Sequence, residues 1–181
     1  MWWMREYLGH NPYGRPHLMY IQRATNLEMA GVRYLNSPYY HIEVNDFDGA
    51  YFHDFEIYVD TKGQLELGKL FEGRNRAANL VDGLLDITLP TYPLNTDGLD
   101  PSGKNAVIER LNITSYDDAV AIKPLNLNNT YATCSENILV RDCTMWFGVG
   151  MTIGSVSAHE NYSCIRNVTF DTHTFYHPFK A

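Results

Sequence analysis

Asn105-Ala-Val-Ile-Glu-Arg-Leu-Asn-Ile113 decides the fold. A short β-rich alternation runs into a polar pair, Glu109-Arg110, and emerges into apolar residues two apart, Leu111 and Ile113. That is the pattern of a short strand, a bend and a second short strand. The same arrangement occurs at Asn26-Leu-Glu-Met-Ala-Gly-Val-Arg-Tyr34, Gly49-Ala-Tyr-Phe-His-Asp-Phe-Glu-Ile57, Asn137-Ile-Leu-Val-Arg-Asp-Cys-Thr-Met145 and Tyr162-Ser-Cys-Ile-Arg-Asn-Val-Thr-Phe170. These windows start 23, 56, 32 and 25 residues apart, so 56 reads as two turns with an insertion and 32 as one turn with a loop. A repeat of about 22–25 residues, with no amphipathic helix between strands, predicts an all-β chain wound as a single right-handed parallel β-helix. An antiparallel all-β domain whose strands happen to alternate is the competing reading. In the solenoid, stacked strands stand about 4.8 Å apart, so residues one period apart become neighbours.

Two stretches interrupt the repeat. Residues 63–87 carry Leu65, Leu67, Leu70 and Phe71 and read as a loop or short helix on the side of the coil, and 124–133 is a polar turn segment. Residues 1–181 therefore form one β-helix domain with insertions near 63–87 and 124–133. Loops on one face of a solenoid often border a binding groove.

Composition narrows the function. The 181 residues carry 14 Lys+Arg against 21 Asp+Glu, a net charge of −7, and no basic stripe. Nucleic acid is not an expected partner. No run of eighteen apolar residues exists to span a membrane as a helix, and the first residues lack a basic segment leading into an apolar one. Cys134, Cys143 and Cys164 form no C-x-x-C pair and no zinc-ligand pattern. One bridge with a free thiol, or three thiols, both fit. Sequons at Asn112, Asn128, Asn161 and Asn167 favour a secreted glycoprotein. No G-x-S-x-G, P-loop or dinucleotide fingerprint is present, and no cofactor is expected.

The chemistry concentrates in Asn95-Thr96-Asp97-Gly98-Leu99-Asp100 and Ser115-Tyr116-Asp117-Asp118-Ala119-Val120-Ala121-Ile122-Lys123. Asp97 and Asp117 are 20 residues apart, close to one coil, so Asp97, Asp117 and Asp118 should converge on one face. Converging carboxylates raise one another's pKa, which lets one serve as acid while another stays a base. Hydrolysis of a glycosidic bond with inversion uses such a pair, set about 6.5–9.5 Å apart around a water. Separately, Asp97 before Gly98 also fits a turn, and Asp117-Asp118 a solvated bend. Three carboxylates also suit calcium, as in a lyase, although no repetitive G-G-x-G-x-D pattern occurs.

Asn95-Thr-Asp-Gly98, Asp117-Asp-Ala-Val-Ala-Ile-Lys123 and Gly148-Val-Gly-Met-Thr-Ile-Gly-Ser155, in that order, resemble three motifs of the polygalacturonases, glycoside hydrolase family 28. Gly14-Arg-Pro-His-Leu18 and Asn36-Ser-Pro38 look like that family too. The resemblance implies a secreted pectin hydrolase, monomeric at full length, acting on polygalacturonate. It implies that Asp117 protonates the leaving oxygen while Asp97 and Asp118 activate the attacking water. Asn95 would orient the site. Lys123 would contact a galacturonate carboxylate, or else be a surface lysine at a strand end. Where the family carries Gly-His-Gly, this chain has Val149 between its glycines, so the histidine's role is empty or filled from elsewhere, with His159 ten residues on as a substitute or a surface residue. The family's Arg-x-Lys motif would fall beyond Ala181, which makes the chain read as cut at both ends. The insertions hint at a closed groove and exo action. The rival function is a β-helix that binds pectin without turnover. Trp2, Trp3 and Trp146 are read as packing residues rather than sugar platforms.

Overall fold

The computed structural model describes residues 14–62, 93, 95–125, 134–156 and 163–179. Most of both predicted insertions lies outside the described residues, as do Trp2, Trp3, Asn128, His159 and Asn161. In chain order the strands are β1 (Met19–Ala30), β2 (Arg33–Leu35), β3 (Ile42–His53), β4 (Glu56–Tyr58), β5 (Leu99–Glu109) and β6 (Asn112–Thr114). They continue with β7 (Asp118–Ile122), β8 (Ser135–Arg141), β9 (Thr144–Trp146), β10 (Gly150–Ile153), β11 (Ile165–Asp171) and β12 (Thr174–Tyr176). Every ladder among them is parallel. One sheet joins β1, β3, β5, β7, β8, β10 and β11, and the other runs β12-β9-β6-β4-β2. The chain thus passes repeatedly between the two walls, with β7–β8 and β10–β11 following one another in the same wall, and strands pair in parallel with counterparts one coil away: a parallel β-helix.

Repetition of the apolar pattern is what fixes the register. Met29, Phe52, Ile108, Val140 and Phe170 stack in one column. Tyr34, Ile57, Ile113, Met145 and Phe175 stack in another. Ile57, Ile113, Phe52 and Ile108 are fully buried, each contributing about 1.5–3 kcal/mol through loss of apolar surface to water. The first four windows align in the register expected from sequence. The fifth does not: Asn167, not Tyr162, stacks on Asn137, because Val168 pairs with Ile138 and Phe170 with Val140. The last coil is five residues longer than the apolar pattern suggests.

Single left-handed residues turn the corners. Asn26, Gly49, Asn105, Asn137 and Asn167 hold φ between 51° and 80° at equivalent places in successive coils. Asparagine tolerates this region and adds a ladder: Asn167 Nδ2 donates to Asn137 Oδ1 at 2.7 Å, Asn137 to Asn105 Oδ1 at 3.0 Å, and Asn105 to Asp48 Oδ1 at 2.7 Å. A second corner repeats at Gly31, Asp54, Arg110, Asp142 and Thr172, all with positive φ. Cys134 and Cys164 form a disulfide, Cα–Cα 4.5 Å, that ties the entry of β8 to that of β11, while Cys143 is a buried thiol. Trp146 stacks on Tyr176 at 4.1 Å, and its Nε1 donates to Asn112 Oδ1.

Candidate active site

One corner differs from the others, because there the chain turns from the five-stranded sheet into β3, β5, β7 and β10. Backbone bonds link this corner from coil to coil: His41 N donates to Asp97 O at 2.9 Å, Gly98 N to Asp118 O at 2.9 Å, and Val149 N to Asp117 O at 2.9 Å. Residues 41, 97–98, 117–118 and 149 therefore form one column along the axis. Two glycines allow the coils to approach this closely. A Cβ on Gly98 would lie 2.3 Å from Ala119 O, and one on Gly148 would lie 2.4 Å from Asp117 O, where φ is also +64°.

The column brings the three expected carboxylates together. Asp97, Asp117 and Asp118 each place an oxygen within 4.8 Å of the others, Asp97 buried and the other two half-buried. Asp117 is held from two sides, Oδ1 accepting from Asp118 N at 3.0 Å and Oδ2 from Asn95 N at 3.1 Å. Asn95 adopts φ 54°, and its Oδ1 accepts from Arg15 Nη2 at 2.7 Å. Burial, and then the charges of Asp100 and Asp117, push the Asp97 carboxyl well above the usual carboxylate range, with the Lys123 ammonium opposing. Burial also raises Asp118, with the Thr152 hydroxyl opposing. Carboxyls this close and this buried titrate as a coupled group, the setting in which acid and base roles can be divided between neighbours.

Asp100, Arg15 and His41 were not among the site residues expected from sequence. Asp100 sits inside a strand alternation beside Leu99, with nothing to mark it as more than a polar strand residue, yet it is fully buried beside the cluster. Burial raises its carboxyl too, against the opposing pull of Lys123. Lys123, expected to meet a galacturonate carboxylate or else to lie on the surface at a strand end, has its Nζ 3.4 Å from Asp100 Oδ2 and 3.9 Å from Asp97 Oδ2, and 5.7 Å from the centre of the Tyr40 ring. Arg15 reaches the site from before β1. His41 is completely buried beneath Asp97: its Nε2 accepts from Ser37 N at 3.3 Å, which leaves Nδ1 as the donor to Asp97 O at 3.0 Å. Burial pulls this imidazole down to about 4, so it stays neutral and fixes the Asp97 peptide.

Val149 follows Gly148 in the column, and its side chain can neither donate nor accept a hydrogen bond. Among the described residues no histidine nitrogen hydrogen-bonds to the carboxylate oxygens of Asp97, Asp117 or Asp118. The three carboxylates also stand close enough to share a cation. A positive charge is already supplied by Lys123, 3.9 Å from Asp97, and we assign them no metal.

The winding and the acidic column together define a parallel β-helix protein with a carboxylate site along one corner. The match of residues 1–177 to the glycosyl hydrolases family 28 model carries the assignment further, and the chain belongs to that family. It is 31% identical over 159 residues to an endo-polygalacturonase of Pectobacterium carotovorum subsp. carotovorum, and 30% identical over 159 residues to one of Pectobacterium parmentieri. In each case the match covers 86% of this chain and 29% of the relative, so the chain spans less than a third of those relatives' length. Among solved structures, endo-xylogalacturonan hydrolase from Aspergillus tubingensis matches with a TM-score of 0.62 at 22% identity, over 97% of this chain and 46% of that one. At that identity the likeness speaks for the fold.

Proposed function

We propose that the chain forms the catalytic column of a secreted pectin hydrolase that cleaves α-1,4-galacturonosyl linkages. The observation that carries this reading is the convergence of Asp97, Asp117 and Asp118, oxygens within 4.8 Å, in a chain of glycosyl hydrolases family 28. Asp117 gives its proton to the leaving glycosidic oxygen as the bond to the anomeric carbon breaks. Asp97 and Asp118 hold the attacking water, and its proton passes to the one of them that is ionised. Asn95 orients the group through its N–H on Asp117 and its amide on Arg15. The exposed Asn112 sequon and the Cys134–Cys164 bridge support an oxidising, extracellular setting.

Reducing-end release from polygalacturonate tests the reading. The Asp117→Asn variant of the full-length protein should lose on the order of 10²-fold or more in kcat with pectin still bound. An undiminished rate would remove Asp117 from the chemistry. The oxygen spacing is tighter than the roughly 6.5–9.5 Å expected of an inverting pair, so the stereochemical course is a separate measurement. NMR of the first product should show the β-anomer if water attacks opposite the leaving group, and the α-anomer if a covalent intermediate intervenes.

The exo expectation rested on segments outside the described residues, whereas both Pectobacterium relatives are named endo-polygalacturonases. Early release of monomer alone marks exo action, and a ladder of oligomers marks endo. A product absorbing in the ultraviolet and lost with chelator would instead indicate a calcium-dependent lyase. Val149 favours a second reading, a pectin-binding protein without turnover, recognised by retention on pectin with no released ends.

A further inference from the structure

Lys123 points inward. Its Nζ lies 3.4 Å from Asp100 Oδ2 and 3.9 Å from Asp97 Oδ2, and its backbone N–H donates to Pro101 O at 3.0 Å, which fastens the end of β7 to β5. Both carboxylates are under 4% exposed. Asp97 Oδ1 and both oxygens of Asp100 have no hydrogen-bond partner among the described residues. Buried carboxylate oxygens without hydrogen bonds depend on the charge nearest them, here the ammonium that both aspartates face. The groups facing this pair are Asp117 and Asp118 from the next coil, Glu43 of β3, which pairs in register with Asp100, and the Tyr40 ring above Nζ.

We propose that Lys123 and Asp100 are positioning residues that set the charge on the water-holding Asp97, and that Lys123 acts on the enzyme's own carboxylates rather than on a substrate carboxylate. One ammonium cannot neutralise both aspartates, so the trio holds a proton or a net negative charge. Lys123 stands nearer Asp100 than Asp97 and offsets burial more closely there, so removing either member of the pair changes the charge on Asp97. Without the ammonium, Asp97 stays protonated to higher pH. Without Asp100, the ammonium is free to serve Asp97 alone, and Asp97 ionises at lower pH.

The inference rests on the hydrolase reading for its kinetic test, and a second readout stands apart from activity. In the full-length protein, Lys123→Met should move the acidic limb of kcat/KM upward by on the order of one pH unit, and Asp100→Asn should move it downward. KM for oligogalacturonate should stay close to wild type in both. The second readout is the pH dependence of the unfolding midpoint. A carboxyl raised in the folded state stabilises at low pH and loses that contribution as pH rises through its folded pKa. Lys123→Met should therefore extend the loss to higher pH, and Asp100→Asn should flatten it. A raised KM with an unmoved pH profile would overturn the proposal and place Lys123 on the substrate. Superimposable pH profiles in both readouts would reduce the pair to a structural contact and also overturn it. Unfolding curves that shift as expected in a protein with no pectin-cleaving activity would sustain the pair and remove the hydrolase reading instead.

Discussion

Gly98 and Gly148 determine how closely the catalytic coils stack, because a methyl group at either position would meet a carbonyl oxygen at 2.3 or 2.4 Å. Neither obstacle is a flexible side-chain end, so the backbone itself would have to move. Gly98→Ala should cost about 1–3 kcal/mol as an overpacked site and lower kcat more than it raises KM, since it displaces Asp118 relative to Asp97. A chevron or thermal melt with parallel kinetics checks both effects. His41 supports the same column from beneath. Removing its ring takes the Nε2 acceptor from the Ser37 N–H and one of two donors from the Asp97 carbonyl, which keeps the His41 N–H, at about 1–3 kcal/mol for the unsatisfied group. Its folded pKa is depressed to about 4, so its contribution is complete above the unfolded value and declines as pH falls through the window from about 6.5 toward 4. Comparing unfolding midpoints of wild type and His41→Gln across that window should show the difference narrowing on acidification.

At the level of elements, the asparagine corners and the disulfide do separate work. Asn137 sits at φ 57° and bonds to both Asn105 and Asn167. Asn137→Gly keeps the left-handed backbone accessible and loses the ladder, while Asn137→Ala loses both. The alanine variant should be the less stable by about 1 kcal/mol, the cost of forcing a Cβ into that region, read from urea midpoints at constant m. The Cys134–Cys164 bridge closes a sequence separation of 30 residues between adjacent coils. Replacing both with serine should cost about 3–4 kcal/mol by chain entropy, and most of the effect should fall on β8 and β11 in hydrogen exchange. Cys143 differs because burial pushes its thiol up to about 11, which makes it slow toward alkylating reagents in the folded chain.

Viewed as a whole molecule, burial is uneven along the axis. The strands of the middle coils are largely closed, whereas β12 is exposed along its length, with Phe175 36%, Tyr176 42% and the following Phe179 53% exposed. A solenoid presenting an apolar coil end offers a stacking surface to another copy. The 181-residue chain expressed alone should therefore associate with rising concentration in sedimentation velocity, and Phe175→Lys with Tyr176→Glu should shift it toward monomer. A monomer at all concentrations would show that the exposed end is already protected.

The winding was legible in sequence because a β-helix writes its register as a repeat: Asn105–Ile113 and its counterparts place apolar side chains at equivalent positions, and stacking identical positions is what buries them. The convergence of Asp97, Asp117 and Asp118 followed from the same period, since 20 residues is close to one coil. The fifth window misled by five residues because apolar alternation alone does not say where the corner asparagine lies, and Asn167 carries that information. The Cys134–Cys164 pairing, the burial of Asp100, the approach of Arg15 to Asn95 and the inward turn of Lys123 were decided only in three dimensions. Each depends on residues far apart in the chain meeting through corners and connections, and a one-dimensional pattern records the period of a coil but not which side chains its bends bring face to face.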